Sequence, residues 1–154
     1  MARQSSKRTP SEPAGLPEVE EHARAFQQAR DARRDELADD YVELIDDMIA
    51  DSGTVRQIDI AARLGVAQPT VARMLKRLTE EGLVERHNAR GVVLTQTGRD
   101  RARASRERHL IVEQFLVAVG VSAETARCDA EGIEHHVSDE TLAVFRKFVA
   151  GRSG

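Results

Sequence analysis

The sequence predicts a mainly α-helical fold, in which a winged helix-turn-helix is followed by an all-helical domain. Three observations favour this class. Apolar residues recur at helical spacing over most of the chain after residue 18, two short helical patterns flank a Gly-containing turn, and two short strand-like segments follow them. We expect a disordered tail at 1–17, a first helix and winged helix-turn-helix at 18–96, and a helical domain at 97–154.

Composition sets the compartment and excludes some kinds of site. No apolar run reaches the ~18 residues of a membrane span, and the N-terminus lacks the apolar stretch of a secretory signal. We therefore expect a cytoplasmic protein without a membrane partner. The single cysteine, Cys128, excludes an internal disulfide framework and a zinc–thiolate cluster within one chain.

Charge is unevenly distributed along the chain, although the net charge is only −3. Residues 54–109 carry 12 Lys and Arg against 6 Asp and Glu, and the remaining residues carry 11 against 20. The first stretch is suited to a polyanion and the remainder to cations.

The N-terminal part is predicted to be a tail followed by one helix. Residues 1–17, with three of the four prolines, have too few apolar groups to offset the entropy of ordering. Helical periodicity then extends from Val19 to Ala50, and Gly53 is expected to end the helix. The predicted buried stripe consists of Leu37, Tyr41, Leu44, Ile45 and Met48.

The next segment predicts a helix-turn-helix and a wing. A short helix with Ile58, Ile60, Ala61 and Leu64 ends at Gly65, and Pro69 stands in the first turn of the next helix. The second helix ends at Gly82. Its inward residues are predicted to be Val71, Met74, Leu75 and Leu78. Two short strands around a turn at 88–91 make the wing.

Polar residues of this segment are suited to duplex DNA. The second helix leaves amide, hydroxyl and guanidinium groups off its apolar stripe, where they can read base edges in a major groove or neutralise phosphates. The candidates are Gln68, Pro69, Thr70, Arg73, Lys76 and Arg77 on the helix, with Arg86 and Arg90 on the wing. Ordinary solvated charges are the alternative interpretation, but the positive surplus is concentrated on this one winged element.

The C-terminal part is predicted to contain three helices. Thr97 and Asp100 resemble a capping box that opens a helix reaching Val119, and Ser122 and Ser138 are candidate N-caps for two more. The last helix carries Leu142, Phe145, Phe148 and Val149. These helices are more apolar than a lone winged domain requires, so we expect them to form the interface of a homodimer.

Carboxylates and imidazoles cluster in the segment DAEGIEHHVSD. On one helix, Glu131, Glu134 and His135 share a face, whereas His136 falls off it. The pair Asp40 and Glu43 on the first helix offers further oxygens, and His109 with Glu113 offers an i, i+4 pair on the fourth. A solvated acidic face and a structural His109 are the alternatives. Packing two carboxylates together nevertheless costs electrostatic energy unless a cation compensates.

The chain resembles the manganese-responsive branch of the diphtheria toxin repressor family of metalloregulators. The resemblance rests on DDYVELI, DIAARLGVAQPTVARMLKRL, GVVLT, RERHLIVEQFL and above all DAEGIEHHVSDETL, and it covers about 35–148. It implies a homodimer that binds operator DNA and represses manganese uptake genes. Some relatives have a small β-barrel domain after these helices, and we expect none here, because this sequence ends soon after Phe148.

The resemblance implies a site for two Mn²⁺ ions per subunit, and its ligands fall on Asp40, Glu43, His109, Glu131, Glu134 and His135. Four carboxylates and two divalent ions balance in charge, and oxygen-rich ligation without thiolate is suited to manganese. In iron-responsive relatives a methionine and a cysteine take the places of Asp40 and Glu131. The pattern gives no role to His136.

Two positions depart from the family pattern. Cys128 lies one turn before Glu131, and we interpret it as buried packing. Ala67 stands where relatives commonly have a serine that caps the recognition helix. Two other functions are the alternatives. A carboxylate-bridged metalloenzyme of the helical-bundle type uses Glu-x-x-His on each of two helices, and this sequence has no such repeat; a metal-blind repressor would sense an organic ligand instead. We expect neither catalysis nor a small-molecule substrate.

Overall fold

The computed structural model describes residues 18–88 and 91–152, so the predicted tail at 1–17 lies outside the described residues. The described residues form six helices and one two-stranded sheet. In chain order the elements are α1 (Val19–Ser52), α2 (Gln57–Leu64), α3 (Gln68–Glu80), β1 (Val84–His87), β2 (Gly91–Leu94), α4 (Gln96–Ala118), α5 (Ala123–Ile133) and α6 (Asp139–Ala150). None of these helices combines the length and apolar character that a membrane span requires.

The chain divides into two compact units, residues 1–31 and 32–154. In the first unit, every described residue is exposed, and the residues from Val19 onward are helical. Side-chain pairs along this helix include Gln27 with Asp31, 2.9 Å from Nε2 to Oδ1, and Arg30 with Gln27, 2.7 Å from Nη2 to Oε1. Local pairs at this spacing are the interactions that support an exposed helix.

The second unit begins with the part of α1 that is packed in a core. The buried residues of α1 are Ala38, Tyr41, Val42, Ile45 and Met48. The prediction that Leu37 is buried is wrong: its exposed fraction is 46%, because the buried face is centred on Ala38 and Val42. The helix ends at Ser52, two residues later than predicted, and Gly53 follows with a φ of 69°.

The helix-turn-helix is confirmed. Gly65 ends α2 in the left-handed region that favours glycine, and its N–H donates to the carbonyl of Ala61. All four predicted inward residues of α3 are buried. The apolar residues of the first helix are buried only in part, since Ile60 is fully buried whereas 55% of Ile58 is exposed. Ala67 is the N-cap residue of α3 and provides no side-chain cap.

The wing is confirmed as an antiparallel pair, with Val84 opposite Leu94 and His87 opposite Gly91. The backbone N–H of Val92 also donates to the carbonyl of Val55 at 2.8 Å, which joins the wing to the segment before α2. A Cβ on Gly91 would lie 2.1 Å from that carbonyl oxygen, so this junction requires glycine.

The N-cap of α4 lies two residues before the predicted one. Thr95, not Thr97, is the N-cap residue, because its hydroxyl accepts from the N–H of Gly98 at 3.0 Å. The Thr95 hydroxyl also donates to the carbonyl of Gly82 at 2.7 Å, which fixes the helix start against the end of the α3 turn. The helix ends near Val119, as predicted.

Two hydrophobic cores lie along α4. The first contains the buried faces of α1, α2, α3 and the wing, together with Ala102 of α4. The second contains Ile111 and Val112 of α4, Ala130 of α5 and Leu142 of α6. Ser122 and Ser138 cap α5 and α6 as predicted, accepting from backbone N–H groups at 3.3 and 3.2 Å. The fourth helix therefore belongs to both halves of the unit.

Candidate metal centre and nucleic-acid interface

The six predicted ligands come from three places in the fold. Asp40 and Glu43 are on α1, His109 is on α4, and Glu131, Glu134 and His135 are on α5 and the turn after it. The prediction that these last three residues share one helix is wrong in detail, because α5 ends at Ile133 and Glu134 is its C-cap residue. The turn continues far enough to keep Glu134 and His135 on the same side.

Three of these ligands form a compact group. One donor atom each from His109, Glu131 and Glu134 lies within 4.8 Å of the other two. Nδ1 of His109 lies 2.8 Å from Oε2 of Glu134 and 3.6 Å from Oε1 of Glu131. Donor atoms this close together, from two helices, can bind the same cation.

His135 extends the group toward α1. Its Nε2 lies 3.3 Å from Oε1 of Glu134 and 4.0 Å from Oδ1 of Asp40. The two carboxylate oxygens of Glu134 therefore face different imidazoles, one from α4 and one from its own turn. Glu134 is the shared member of two donor sets.

The Glu134 carboxylate is buried without its full set of partners. Only 3% of the residue is exposed, and Oε2 accepts no hydrogen bond although Nδ1 of His109 is 2.8 Å away. A nitrogen and an oxygen that lie this close together without forming a hydrogen bond are suited to bind one positive ion between them. Leaving such an oxygen unpaired costs free energy, which a bound cation would recover.

The electrostatics of the group agree with this fit. Burial, followed by the neighbouring charges of Glu131, Glu43 and Asp40, raises the pKa of Glu134 to about 8. Burial also raises the pKa of Asp40 and of Glu43, and Glu131 adds to both shifts. Carboxylates from α1 and α5 therefore repel one another across the site.

Two carboxylates outside the predicted ligand set lie beside the imidazoles. Glu113 faces Nε2 of His109 at 3.5 Å, which leaves Nδ1 toward the site. Asp39 faces Nδ1 of His135 at 3.6 Å, which leaves Nε2 toward the site, and Arg101 holds Asp39 at 2.5 Å from Nε to Oδ1. This pairing is typical of ligating histidines. Of these two carboxylates, Glu113 could be found from the sequence, because it stands four residues after His109 on one helix.

The ligand chemistry is oxygen-rich with two imidazoles. Cys128 contributes nothing to it, and the prediction that Cys128 is packed in the core is wrong, because it is exposed on α5. Carboxylate oxygens with a minority of imidazole nitrogens are suited to divalent ions such as Mn²⁺. His136 is exposed and outside the group, in agreement with its exclusion.

The predicted DNA-reading residues lie mainly on the exposed side of α3. Opposite the buried apolar face, five candidates are exposed: Gln68, Pro69, Thr70, Arg73 and Lys76. Arg73 Nη2 lies 3.5 Å from the hydroxyl of Thr70, so these two side chains share one surface. A helix with this exposed polar row is the element that enters a major groove in helix-turn-helix proteins.

The other candidates are placed differently. Arg77 is mostly buried and donates to Glu81 at 2.6 Å and to the carbonyl of Arg34 at 3.0 Å, so it connects α3 to α1. Arg86 is exposed on β1, with Nη2 3.5 Å from Oε1 of Gln57. Arg90 lies outside the described residues.

Two protein-family models match the chain. The iron-dependent repressor N-terminal DNA-binding domain matches residues 35–92, and the iron-dependent repressor metal-binding and dimerisation domain matches residues 95–151. The first covers the second part of α1, α2, α3, β1 and the first two residues of β2, and the second contains α4, α5 and α6.

Curated relatives match almost the whole chain. The chain is 57% identical to the transcriptional regulator MntR of Escherichia coli O6:H1 over 148 residues, which is 96% of each protein. It is 55% identical to the transcriptional regulator MntR of Salmonella typhimurium, over 96% of this chain and 94% of the relative. A 40% match to the regulator MntR of Geobacillus kaustophilus covers 65% of this chain and 71% of the relative.

Solved structures share the fold. The manganese regulator SloR matches with a TM-score of 0.63 at 29% identity, over 73% of this chain and 53% of its own. A manganese-dependent transcriptional repressor in complex with manganese matches with a TM-score of 0.61 at 33% identity, over 73% of this chain and 52% of its own. The chain thus spans about half the length of these two solved relatives.

Proposed function

The chain belongs to the iron-dependent repressor family, and from this premise we propose that it is a manganese-dependent transcriptional repressor of manganese uptake genes. The observation that carries the proposal is the buried Glu134 carboxylate, which lies between the imidazoles of His109 and His135 and whose Oε2, on the His109 side, accepts no hydrogen bond. The names of the relatives support manganese as the ion and repression as the direction of control.

Six side chains of this protein are proposed to hold the metal: Asp40, Glu43, His109, Glu131, Glu134 and His135. A bound divalent cation supplies the positive charge that offsets the repulsion among their carboxylates. Four carboxylates balance two such ions, and this charge count supports the proposal of two Mn²⁺ per subunit. The absence of thiolate among the six ligands supports Mn²⁺ over softer metals.

The helix α1 couples the metal centre to the DNA-reading helix. It carries Asp40 and Glu43 on one side, and on the other Tyr41 and Ile45 belong to the same core as Val71 and Leu75 of α3. Because packed side chains transmit small displacements, fixing α1 beside α4 and α5 also fixes the direction of α3. Binding of the operator then requires less conformational ordering of the protein.

A homodimer is the assembly that reads a two-fold operator. The family model of residues 95–151 supports a dimerisation role for the C-terminal helices. Large apolar side chains remain exposed on or beside α4 and α6, namely Leu110, Val117, Val119, Val144 and Phe148. A second copy of the chain is the proposed partner that covers them.

For DNA we propose the exposed row of α3 as the reader of base edges, with Arg73 as its principal side chain. Lys76, Arg86 and Arg90 are proposed phosphate contacts. Arg77 is also a proposed DNA contact, although its guanidinium already binds Glu81 and the backbone of α1.

The proposed domain division is 18–96 and 97–154. Because operator DNA lies in the bacterial cytoplasm, the proposal includes a cytoplasmic location. It includes no catalytic activity and no small-molecule substrate.

The direct test is a Mn²⁺ titration of metal-free protein, with the free ion followed by electron paramagnetic resonance. We expect two ions per chain in the wild type and weakened binding in Glu134→Ala, with a folded dimer in both. A Glu134→Ala protein that binds Mn²⁺ as the wild type does would contradict the proposed site. Absence of binding to the wild type up to about millimolar Mn²⁺ would mean a binding free energy weaker than about −4 kcal/mol. That result would contradict metal control altogether.

A further inference from the structure

Arg108 is the α4 residue directly before His109, and its side chain binds the backbone of the turn that carries Glu134 and His135. Its Nε and Nη2 donate to the carbonyl of Glu134 at 3.2 and 2.9 Å. Nη2 also donates to the carbonyl of Val137, and Nη1 lies 2.8 Å from Oδ1 of Asp139. One guanidinium thus connects both ends of the turn between α5 and α6.

The position of this turn explains why it needs a partner. The regular part of α5 ends at Ile133, and α6 does not begin until Asp139. Carbonyl groups beyond the last helical turn have no intrahelical N–H to accept from. The bonds from Arg108 replace those missing donors at Glu134 and Val137. Side chains in such a turn would otherwise be held only by their own contacts.

The two sides of Glu134 are therefore held by neighbouring residues of α4. Arg108 binds its backbone carbonyl, and His109 faces its carboxylate. Only 30% of the Arg108 side chain is exposed, so these bonds are partly shielded from solvent. Because the Cα positions of Glu134 and His135 follow from the backbone, fixing the turn also fixes where their ligand atoms can lie.

We propose that Arg108 is a positioning residue of the metal centre, which fixes the turn from Glu134 to Val137 so that Glu134 and His135 are oriented for a cation in advance. It touches no cation itself. The inference rests on the proposed function, since it assigns a role toward the same site. A planar fork with five N–H groups is required, because two carbonyls and one carboxylate lie in different directions around the guanidinium.

The test compares three variants of the full-length protein in Mn²⁺ titrations followed by electron paramagnetic resonance. Arg108→Gln removes the charge and the fork, and Arg108→Lys keeps the charge and the apolar stem. Arg103→Gln is the matched control, because Arg103 is an exposed arginine of the same helix whose guanidinium lies 3.5 Å from the neighbouring Asp100. Thermal unfolding of each metal-free variant is measured alongside.

We expect Arg108→Gln and Arg108→Lys to weaken Mn²⁺ binding by about 10- to 100-fold, the range for partners that orient ligands, while Arg103→Gln stays at the wild-type value. The bound-ion spectrum of Arg108→Lys should also broaden, because the ligands are less uniformly placed. Operator binding should return at saturating Mn²⁺, which a collapsed fold would not allow.

Wild-type affinity in Arg108→Lys would overturn the proposal, since charge alone would then suffice. If Arg108→Gln fails to fold, the comparison of Arg108→Lys with Arg103→Gln decides. A wild-type protein that binds no Mn²⁺ would refute the proposed function itself. A wild-type protein that binds Mn²⁺ with the same affinity as both Arg108 variants would refute only this inference.

Discussion

Arg106 on α4 and Asp46 on α1 lie 2.7 Å apart, from Nη1 to Oδ2, although 60 residues separate them in the chain. The same guanidinium lies 2.6 Å from Asp47 and donates to the carbonyl of Glu43 at 3.3 Å. The bond to Asp46 raises the pKa of Arg106. These bonds hold α1 beside α4, one turn from the proposed ligand Glu43, without any bound metal.

Replacing Arg106 with Gln should lower the free energy of unfolding of the metal-free protein by about 1 kcal/mol. The pairs are partly exposed, so each one contributes at the modest level of surface ion pairs. Urea denaturation gives the value. The exposed Arg103→Gln should stay within ~0.5 kcal/mol of the wild type. An equal loss in the two variants would show that α1 is not held by Arg106.

The raised pKa of Glu134 predicts a pH-dependent stability in the metal-free protein. The usual pKa is 4.5 and the folded value is about 8. Between these pH values the folded chain keeps a proton that the unfolded chain has released, so the free energy of unfolding falls as pH rises. The full loss above pH ~8 is on the order of 5 kcal/mol, and the contribution is fully present below pH ~4.5.

Glu134→Gln is the matched variant for this prediction, since it keeps the shape and removes the titration. Urea denaturation in a chelator at about pH 5, 6.5 and 8 compares the two proteins. The wild type should lose stability relative to the variant across this range. Parallel curves for the two proteins would mean that Glu134 ionises normally in the fold.

Gly98 in the first turn of α4 should resist substitution. A Cβ there would lie 2.1 Å from the backbone oxygen of Leu83 and 3.2 Å from a methyl group of Leu94. Gly98→Ala must therefore separate α4 from the wing, at a cost of about 1–3 kcal/mol in thermal or urea unfolding. Gly132→Ala is the control, because nothing lies within 4 Å of its added methyl group. That variant should be neutral or slightly stabilised.

Arg73→Ala should weaken operator binding without changing Mn²⁺ affinity. An arginine that reads a base edge contributes about 1–3 kcal/mol, so a loss of roughly 5- to 150-fold is expected. The operator is obtained by selection from a random duplex pool in the presence of Mn²⁺. Arg103→Ala, an exposed arginine on α4, serves as the control. Equal DNA affinity in the two variants would remove Arg73 from the reading surface.

Periodicity predicted the elements well, because apolar spacing reports directly on which face is buried. All four inward residues of α3 and the two strands of the wing were correct. The error at Leu37 arose where two apolar residues, Leu37 and Ala38, stand next to each other in sequence. Whether Leu37 or Ala38 is buried depends on packing against elements that are distant in the sequence, and apolar spacing carries no information about that packing.

Helix starts and ends were less predictable than helix faces. Thr95 and Thr97 both offer a hydroxyl, and the contact of Thr95 with the carbonyl of Gly82, thirteen residues away, favours the earlier one. Similarly, the helical pattern through DAEGIEHH does not show that α5 ends at Ile133. Cys128, read as core from its residue type, is exposed.

The residues around the ligands were the least visible in the sequence. Asp39 is one of seven acids between Asp35 and Asp47, and its position beside His135 depends on the approach of Arg101, which lies 62 residues away in the sequence. The bonds of Arg108 to the turn at Glu134 likewise need the fold. Residue types predict which side chains can bind a cation, but not which other side chains position those ligands.

In the proposed mechanism, metal at Glu134 controls the affinity for DNA. The most direct measurement is the ratio of operator affinities at saturating Mn²⁺ and in a chelator, for the wild type and for Glu134→Gln, at one salt concentration. We predict a ratio of about 5- to 150-fold in the wild type, the usual range of coupling between two sites, and a ratio near one in the variant. Equal ratios in the two proteins would contradict control of DNA affinity by metal at Glu134.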